Sequence, residues 1–508
     1  YPISPATSMG EHMDKWASAS KKNILGQVVD VNMMQSEAGA AGALHGAAAA
    51  GSLTSTFTAS QGLLLMIPNM YLLAGELVPS VFHVSARTVS KHALSIFNDH
   101  SDVMATRQTG FAMMASSSVQ EVMDLGMASH VSSLKSRLPF LHFFDGYRTS
   151  AEMSKIQVTP YEDMYRIFPT ELVREHLHKY ALNPYHPTIR GTGQRPDIFF
   201  QSTVAANKYY QACPDVVEEV FQDIEALTGR KYELFKYHGS PNAERVAVIM
   251  GSAAKTMEEA VDYLNARGEN VGVMTVHLMR PWSTKHFMKA LPETVNKIAV
   301  LDRTREDGAT GMPLFLDVNV TMSDAQRQAL ITGTQYGLAS KEFTPAMIEA
   351  VFKNLNAENP RMRYVIGIED DVTHSSLPYG DPIHTTPDTT RQCLFWGLGS
   401  DGTVGANKTA IKTIGLKTDL KAQGHFVFDS HKADGVTVSH LRFGPEEIKS
   451  EYTIQSDADF ISVSHPSYVY KYEMLEPMKE GGTLVLNSPW VSFEEMDKKM
   501  PAHVKQEI

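Results

Sequence analysis

The amino-acid sequence predicts a multi-domain α/β protein, and three observations carry that expectation. Short apolar runs such as Val81-Phe82-His83-Val84 and Phe140-Leu141-His142-Phe143-Phe144 alternate with Ala/Gly-rich helical stretches through residues 1 to 235. A strand–helix–strand series with clean punctuation follows between residues 245 and 303. A third series opens with the apolar run Leu394-Phe395-Trp396, then a glycine turn and a helix beginning near Asn407. Such alternation packs helices against the faces of a layered sheet. A length of 508 residues leaves room for roughly two to four domains, each with its own core.

The elements follow in chain order. Residues 1 to 235 form the first unit, closed by a Pro- and aromatic-rich passage, Asn183-Pro184-Tyr185-His186-Pro187 through Phe199-Phe200, that reads as an ordered surface arm. The second unit, 236 to 375, starts with the buried strand at Arg245-Val246-Ala247-Val248-Ile249 and its small-residue turn Gly251-Ser252-Ala253. Apolar residues at helical spacing from Thr256 to Ala266 then stop at Gly268. Strands at Val271 to Val276 and Lys297 to Arg303, with a helix near Lys285 to Leu291 between them, predict a parallel doubly wound sheet with right-handed crossovers. Thr344 reads as the N-cap of a further helix, with Pro345 in the first helical position. Asp371 to Asp388 reads as a linker into the third unit, 376 to 508.

Composition excludes several classes. A net charge of −11 without a long Lys/Arg cluster argues against nucleic acid as a partner. The apolar run Leu63 to Ile67 is broken by Pro68 and falls far short of the roughly 20 residues of a spanning helix, so no membrane partner is expected. Cys213 and Cys393 are the only cysteines; without CxxC spacing they build neither a disulfide framework nor a cysteine-bound cluster. His83, His92 and His100 lack metal-ligand spacing and read as solvated or core-satisfied, and no metal site is expected in this chain. Tyr1-Pro2-Ile3 reads as the end of a strand, and both termini read as cut from a longer protein.

Three places carry chemistry-bearing residues. Glu37 is one carboxylate in the run Gln35-Ser36-Glu37-Ala38-Gly39-Ala40-Ala41-Gly42-Ala43, whose small side chains let a flat cofactor or another chain approach closely. An acid in the first turn of an Ala-rich helix also favours the dipole, and spacing leaves both readings open. Arg87 follows a strand, where open α/β sheets place ligand contacts, and its guanidinium suits a carboxylate. Gly397-Leu398-Gly399-Ser400-Asp401-Gly402 matches GxGxxG between a strand and a helix, with Asp429 closing the next strand. A dinucleotide, a phosphate at a helix N-terminus and a purely structural turn all remain open there.

Several blocks occur in order: Tyr1-Pro2-Ile3-Ser4-Pro5, Gln35 to Gly42, Phe57-Thr58-Ala59-Ser60-Gln61-Gly62, His83 to Arg87, Arg107 to Ala112, Phe143 to Ser150 and Gly399 to Lys408. Together they resemble the N-terminal portion of the pyruvate:ferredoxin (flavodoxin) oxidoreductase family, including the related pyruvate:NADP oxidoreductase. The resemblance implies a pyrimidine-binding thiamine diphosphate domain at 1–235, a transketolase C-terminal-like domain at 236–375 and an incomplete, gamma-type, coenzyme A-associated domain at 376–508. It assigns Glu37 as the cofactor-activating glutamate and Arg87 as the arginine for the 2-oxoacid carboxylate. Ser4 stands where the family usually has Thr, a substrate contact that keeps its hydroxyl but loses the χ1-restricting methyl. Thr58, Ser60 and Gln61 fall in a segment close to the cofactor, and Gly402, Thr403, Asn407 and Lys408 in a loop for coenzyme A phosphate or domain docking.

By the same resemblance, magnesium and [4Fe-4S] clusters belong to the C-terminal part of the family's proteins. The implied reaction converts pyruvate and coenzyme A to acetyl-CoA and carbon dioxide, with electrons passed to ferredoxin or flavodoxin by a homodimer. Its implied location is intracellular, in the cytoplasm or in a hydrogenosome- or mitochondrion-like organelle. The alternatives are the NADP-reducing fusion and a non-catalytic remnant acting as an assembly module, against which the retained Glu37 and Arg87 speak.

Overall fold

The computed structural model describes residues 1–428 and 435–508. Residues 1–3 are irregular rather than strand, and the first element is the helix Thr7–Ser18. The first sheet contains β1 (Ser55–Thr58), β2 (Val81–Ala86), β3 (Ala112–Ala115) and β4 (Phe140–Asp145) in the order β1-β2-β4-β3, all parallel. Every residue of β3 and β4 is buried, the mark of parallel strands covered on both faces. The helix Val119–Ser136 packs on β2, β3 and β4, while Glu37–Ala49 packs on Ser60–Gly75. Pro68, which interrupts the apolar run, lies inside the helix Ser60–Gly75. No helix among the described residues is long and apolar enough to cross a membrane.

A two-residue strand, β5 (Met153–Ser154), leaves the first unit, and the arm beyond it carries the helix Pro196–Ala205, which has no buried residue. The second sheet holds β6 (Phe235–Gly239), β7 (Arg245–Ile249), β8 (Val271–Val276), β10 (Lys297–Asp302), β11 (Leu330–Gln335) and β12 (Arg363–Val365), while β9 (Leu278–Arg280) leaves it. Its order is β12-β11-β10-β7-β8-β6, parallel throughout except for the antiparallel edge β6. Ala253–Asn265 starts three residues ahead of the expected Thr256, and the chain leaves it through Gly268 at φ +86°. Thr344 occupies the N-cap of Pro345–Asn356 with extended backbone, but its side chain makes no capping bond.

The third sheet is mixed: β13 (Arg391–Leu398), β14 (Lys421–Phe428), β15 (Val436–Gly444), β16 (Ala458–Val463) and β17 (Met478–Leu486) stand in the order β17-β16-β13-β15-β14. The helix between β13 and β14 is Thr403–Lys417, four residues earlier than the sequence reading placed it. Because the antiparallel β15 separates β13 from β14, the strand order is not that of a dinucleotide-binding unit. Asp429, proposed as the acid of such a unit, lies outside the described residues.

Two short strands cross between units. β9 pairs antiparallel with β3 and extends the first sheet, and β5 pairs antiparallel with β14 and extends the third. One apolar core continues from the first sheet onto one face of the second, while a separate core lies under Ala253–Asn265 and Pro345–Asn356.

Candidate active site

β1 and β2 run side by side, with Thr58 paired to Val84, so both chains turn at the same edge of the first sheet. One side chain ties the two turns together. Asp102, in the short helix Ser101–Ala105, is fully buried; its Oδ2 accepts the backbone N–H of Ser60 at 2.8 Å and of Arg87 at 3.0 Å. Its Oδ1 accepts the Val103 N–H at 2.7 Å. Burial pushes the carboxyl up to about 7, against the opposing pull of these N–H groups.

Glu37 is the first residue of Glu37–Ala49, where an acid favours the dipole. Ser36 supplies the cap: its Oγ accepts the Gly39 N–H at 3.1 Å. Glu37 is only 7% exposed, and a dipole partner alone has no reason to leave water. It meets Thr58 across Gly62: a Cβ on Gly62 would lie 2.8 Å from Glu37 Cγ, Glu37 Oε1 and Thr58 Oγ1. Thr58 is fully buried and its Oγ1 has no partner among the described residues. No hydrogen bond to the Glu37 carboxylate forms among the described residues. The acid and the hydroxyl thus meet in a cradle over Gly62, two buried polar groups that lack a hydrogen-bond partner among the described residues.

Around it the loop is internally satisfied. Ser60 Oγ donates to the Thr88 carbonyl at 2.6 Å or to Gln61 Oε1 at 2.5 Å, so the Ser60 hydroxyl is already engaged within the loop. Arg87 is 9% exposed, and its Nη1 donates to the Ser4 carbonyl at 2.8 Å. Burial lowers the guanidinium from its ordinary value, with Tyr147 and Asp102 acting in the opposite sense. Ser4 and Arg87 are thereby brought together, although Ser4 is exposed and the observed contact is its backbone.

The glycine loop sits on the third sheet. Gly402 is the N-cap of Thr403–Lys417 at φ +89°, with open space where a Cβ would stand. Asp401 already serves this helix start: its carboxylate accepts the N–H groups of Thr403 at 2.7 Å and Leu398 at 2.8 Å, and the Ser464 hydroxyl at 2.9 Å. Asn407 is buried, and its Nδ2 has no partner among the described residues. Lys408 is exposed, its Nζ 5.4 Å from the centre of the Phe426 ring.

Sequence reasoning missed two buried polar groups beside these elements. At the end of β4, Asp145 accepts from His100 Nε2 at 2.7 Å, Arg303 Nη1 at 2.8 Å and Ser252 Oγ at 2.7 Å, joining the first and second sheets. Burial resists its ionisation, but His100 and Arg303 outweigh that and hold it well below the carboxylate range. His83 lies between His142, 3.0 Å away, and His130, 3.2 Å away; His142 in turn bonds Ser116 Oγ at 2.8 Å. Asp145 and His83 stand in the blocks that carry the resemblance, but no spacing marks their partners. His83 is half-buried with both ring nitrogens engaged and His92 is exposed, whereas the buried His100 bonds Asp145 through Nε2 and leaves Nδ1 without a partner among the described residues. Asp215, Glu218 and His286 have metal-ligand spacing, yet Lys285 and Lys289 already pair with the two carboxylates. Burial pushes the thiols of Cys213 and Cys393 up to about 12 and about 11, unlike metal-binding thiolates.

Three family models match in succession. Residues 1–222 match the thiamine diphosphate-binding part of pyruvate flavodoxin/ferredoxin oxidoreductase, 243–348 core domain II of pyruvate:ferredoxin oxidoreductase, and 392–508 pyruvate ferredoxin/flavodoxin oxidoreductase. The chain belongs to the pyruvate:ferredoxin/flavodoxin oxidoreductase family. It is 56% identical over its whole length to the pyruvate:ferredoxin oxidoreductase of Moorella thermoacetica and covers 43% of that protein. The pyruvate-flavodoxin oxidoreductase of Enterobacter agglomerans is 53% identical, with 100% of this chain and 43% of the relative covered. The mitochondrial NADP(+)-dependent pyruvate dehydrogenase of Euglena gracilis is 52% identical, with 100% and 28% covered. The chain therefore spans less than half the length of these relatives. A 2-oxoglutarate:ferredoxin oxidoreductase from Magnetococcus marinus, solved with 2-oxoglutarate, coenzyme A and succinyl-CoA bound, shares the fold at TM-score 0.50 and 16% identity, over 70% of this chain and 61% of that one.

Proposed function

We propose that this chain forms the substrate-side part of a pyruvate oxidoreductase, with units at 1–235, 236–375 and 376–508. The whole protein would convert pyruvate and coenzyme A to acetyl-CoA and carbon dioxide, releasing two electrons to ferredoxin or flavodoxin. The observation that carries the reading is the cluster of Glu37, Thr58 and Gly62, where a buried acid and a hydroxyl without a partner among the described residues pack together in the space that the missing Gly62 side chain leaves. Those residues fit the aminopyrimidine end of thiamine diphosphate, which when bound supplies a nucleophilic carbon and an electron sink. Glu37 holds a proton at a ring nitrogen, and the low-dielectric setting strengthens that bond. Thr58 orients the ring, and Gly62 leaves the room that the Glu37 and Thr58 side chains need to stand together.

Arg87 binds the 2-oxoacid carboxylate through its remaining N–H groups, and Ser4 places its hydroxyl beside it. In the third unit, Asn407 Nδ2 and Lys408 offer donors to coenzyme A beside the loop at Gly402 and Thr403, while Asp401 keeps that loop in shape. The protein works as a homodimer inside the cell, in the cytoplasm or in a hydrogenosome- or mitochondrion-like organelle, which sedimentation and cell fractionation test. The NADP-reducing form remains the second reading, favoured by the 52% identity to the Euglena protein; a reductase extension in the full gene would decide for it.

The test of the site is Glu37→Gln in the full-length protein. Turnover falls by roughly 10²-fold or more, as for loss of a positioned acid–base group, while the cofactor still binds. A Gln variant that exchanges the cofactor's acidic ring proton at the normal rate would refute the assignment.

A further inference from the structure

We propose that Asp102 is a positioning residue that couples the cofactor loop to the substrate arginine, one carboxylate oxygen setting Ser60 and Arg87 in register. The inference rests on the pyruvate reading above for the roles of the two loops. Its own support is geometric. Ser60 begins the helix that carries Gly62, two residues after Thr58, and Arg87 is the residue after β2. Nothing in the sequence joins them, yet both backbone N–H groups converge on Oδ2 at 2.8 and 3.0 Å.

A carboxylate is required at this position. Oδ2 serves two donors and Oδ1 a third, all buried. An amide offers only one oxygen, so in either orientation its NH2 would confront at least one N–H group. A buried N–H left unpaired is costly, and the turn that owns it moves to find another partner. Asp102 is fully buried with its oxygens turned to backbone N–H groups; it acts by fixing where the Thr58–Gly62 loop stands relative to Arg87. Asp99, the nearest other acid, is engaged with Ser101 through its N–H at 2.9 Å and its hydroxyl at 2.5 Å, and does not take over this duty.

The experiment uses Asp102→Asn and Asp102→Glu in the full-length protein, with Arg87→Ala for comparison. In Asp102→Asn the Kd for thiamine diphosphate and the KM for pyruvate both rise by about tenfold, with a smaller fall in kcat. Arg87→Ala raises the KM alone. Asp102→Glu keeps the acceptor charge and recovers part of both constants together. Amide hydrogen exchange at Ser60 and Arg87 speeds up in Asp102→Asn relative to the rest of the first sheet.

A lowered melting temperature with both constants at wild-type values would overturn the proposal, as would a change in only one of them. If Asp102→Asn does not fold, Asp102→Glu alone decides, because its two constants must still move as a pair. Failure of the wild-type protein to turn over any 2-oxoacid would count against the proposed function. The exchange measurement would still report on Asp102.

Discussion

Gly62→Ala isolates the cradle without removing a functional group. The new methyl would lie 2.8 Å from Glu37 Oε1 and from Thr58 Oγ1, where ordinary contact begins near 3.4 Å, so both oxygens must retreat by about 0.6 Å. Two stability effects oppose each other. Overpacking a filled site costs about 1–3 kcal/mol, whereas Ala for Gly inside a helix returns roughly 0.5–1 kcal/mol. The melting temperature therefore changes little. Catalysis is less forgiving, because a misplacement of about 1 Å can cost roughly 10²-fold. Turnover is expected to fall by about tenfold or more, and cofactor affinity to weaken with it. The assay pairs a thermal melt with a thiamine diphosphate titration and pyruvate-dependent acceptor reduction in the full-length protein. Wild-type turnover and cofactor affinity in Gly62→Ala would show that the placement of Glu37 and Thr58 over this glycine does not serve the cofactor.

Arg87→Ala should raise the KM for pyruvate by roughly 10- to 150-fold, since a charge-assisted pair of about 1.5–3 kcal/mol is lost. Arg87→Lys should recover only part of that, because an ammonium lacks the planar fork; equal KM values for Lys and wild type would contradict the assigned role. Lys408→Ala should raise the KM for coenzyme A and leave that for pyruvate nearly unchanged, and an unaltered coenzyme A dependence would leave the third-sheet loop as a structural turn. Stability should fall on acidification. Burial holds His83 well below its ordinary 6.5, His130 at about 4 and His142 at about 3, and it lowers His425 and His440 as well. Their contribution is complete above pH 6.5 and is lost as the pH drops towards 4. Asp102 and Asp302, both raised to about 7 by burial, act in the opposite sense: their contribution is full below the ordinary 3.8 and disappears as the pH rises through 7. The histidines outnumber them, so the urea midpoint should be lower at pH 5 than at pH 7.5; a higher midpoint at pH 5 would reverse the argument.

The parts of the fold legible in the sequence were those whose signal is local. β8 and β10 were marked by short, mostly apolar runs, and the helix before β8 by its spacing and by Gly268. β5 and β9 were not, because two or three residues hold no period and their pairing depends on strands far away in the chain. The start of Thr403–Lys417 was missed because Gly405 and the β-branched Thr403 and Val404 are weak helix formers, held there by the turn at Asp401. Within the site, Glu37 and Arg87 stood out through motif blocks, whereas the Glu37–Thr58–Gly62 contact did not, since it joins a helix start to the end of a strand. Asp102 reads locally as an ordinary acid in a helix's first turn; only the folded chain shows that its partners are the backbones of Ser60 and Arg87.

The lending of β9 to the first sheet and of β5 to the third bears on how this polypeptide can be cut. A piece ending near residue 235 would keep β1 to β4 but expose the outer edge of β3, an apolar strand whose unpaired amides and carbonyls invite another chain. A piece beginning near residue 376 would bare β14 in the same way. The polypeptide is mortised rather than strung, so its units are a poor choice for separate expression and reassembly. Ribosomal synthesis meets the same constraint, because the first sheet must wait for Leu278–Arg280 to emerge before its last edge is closed.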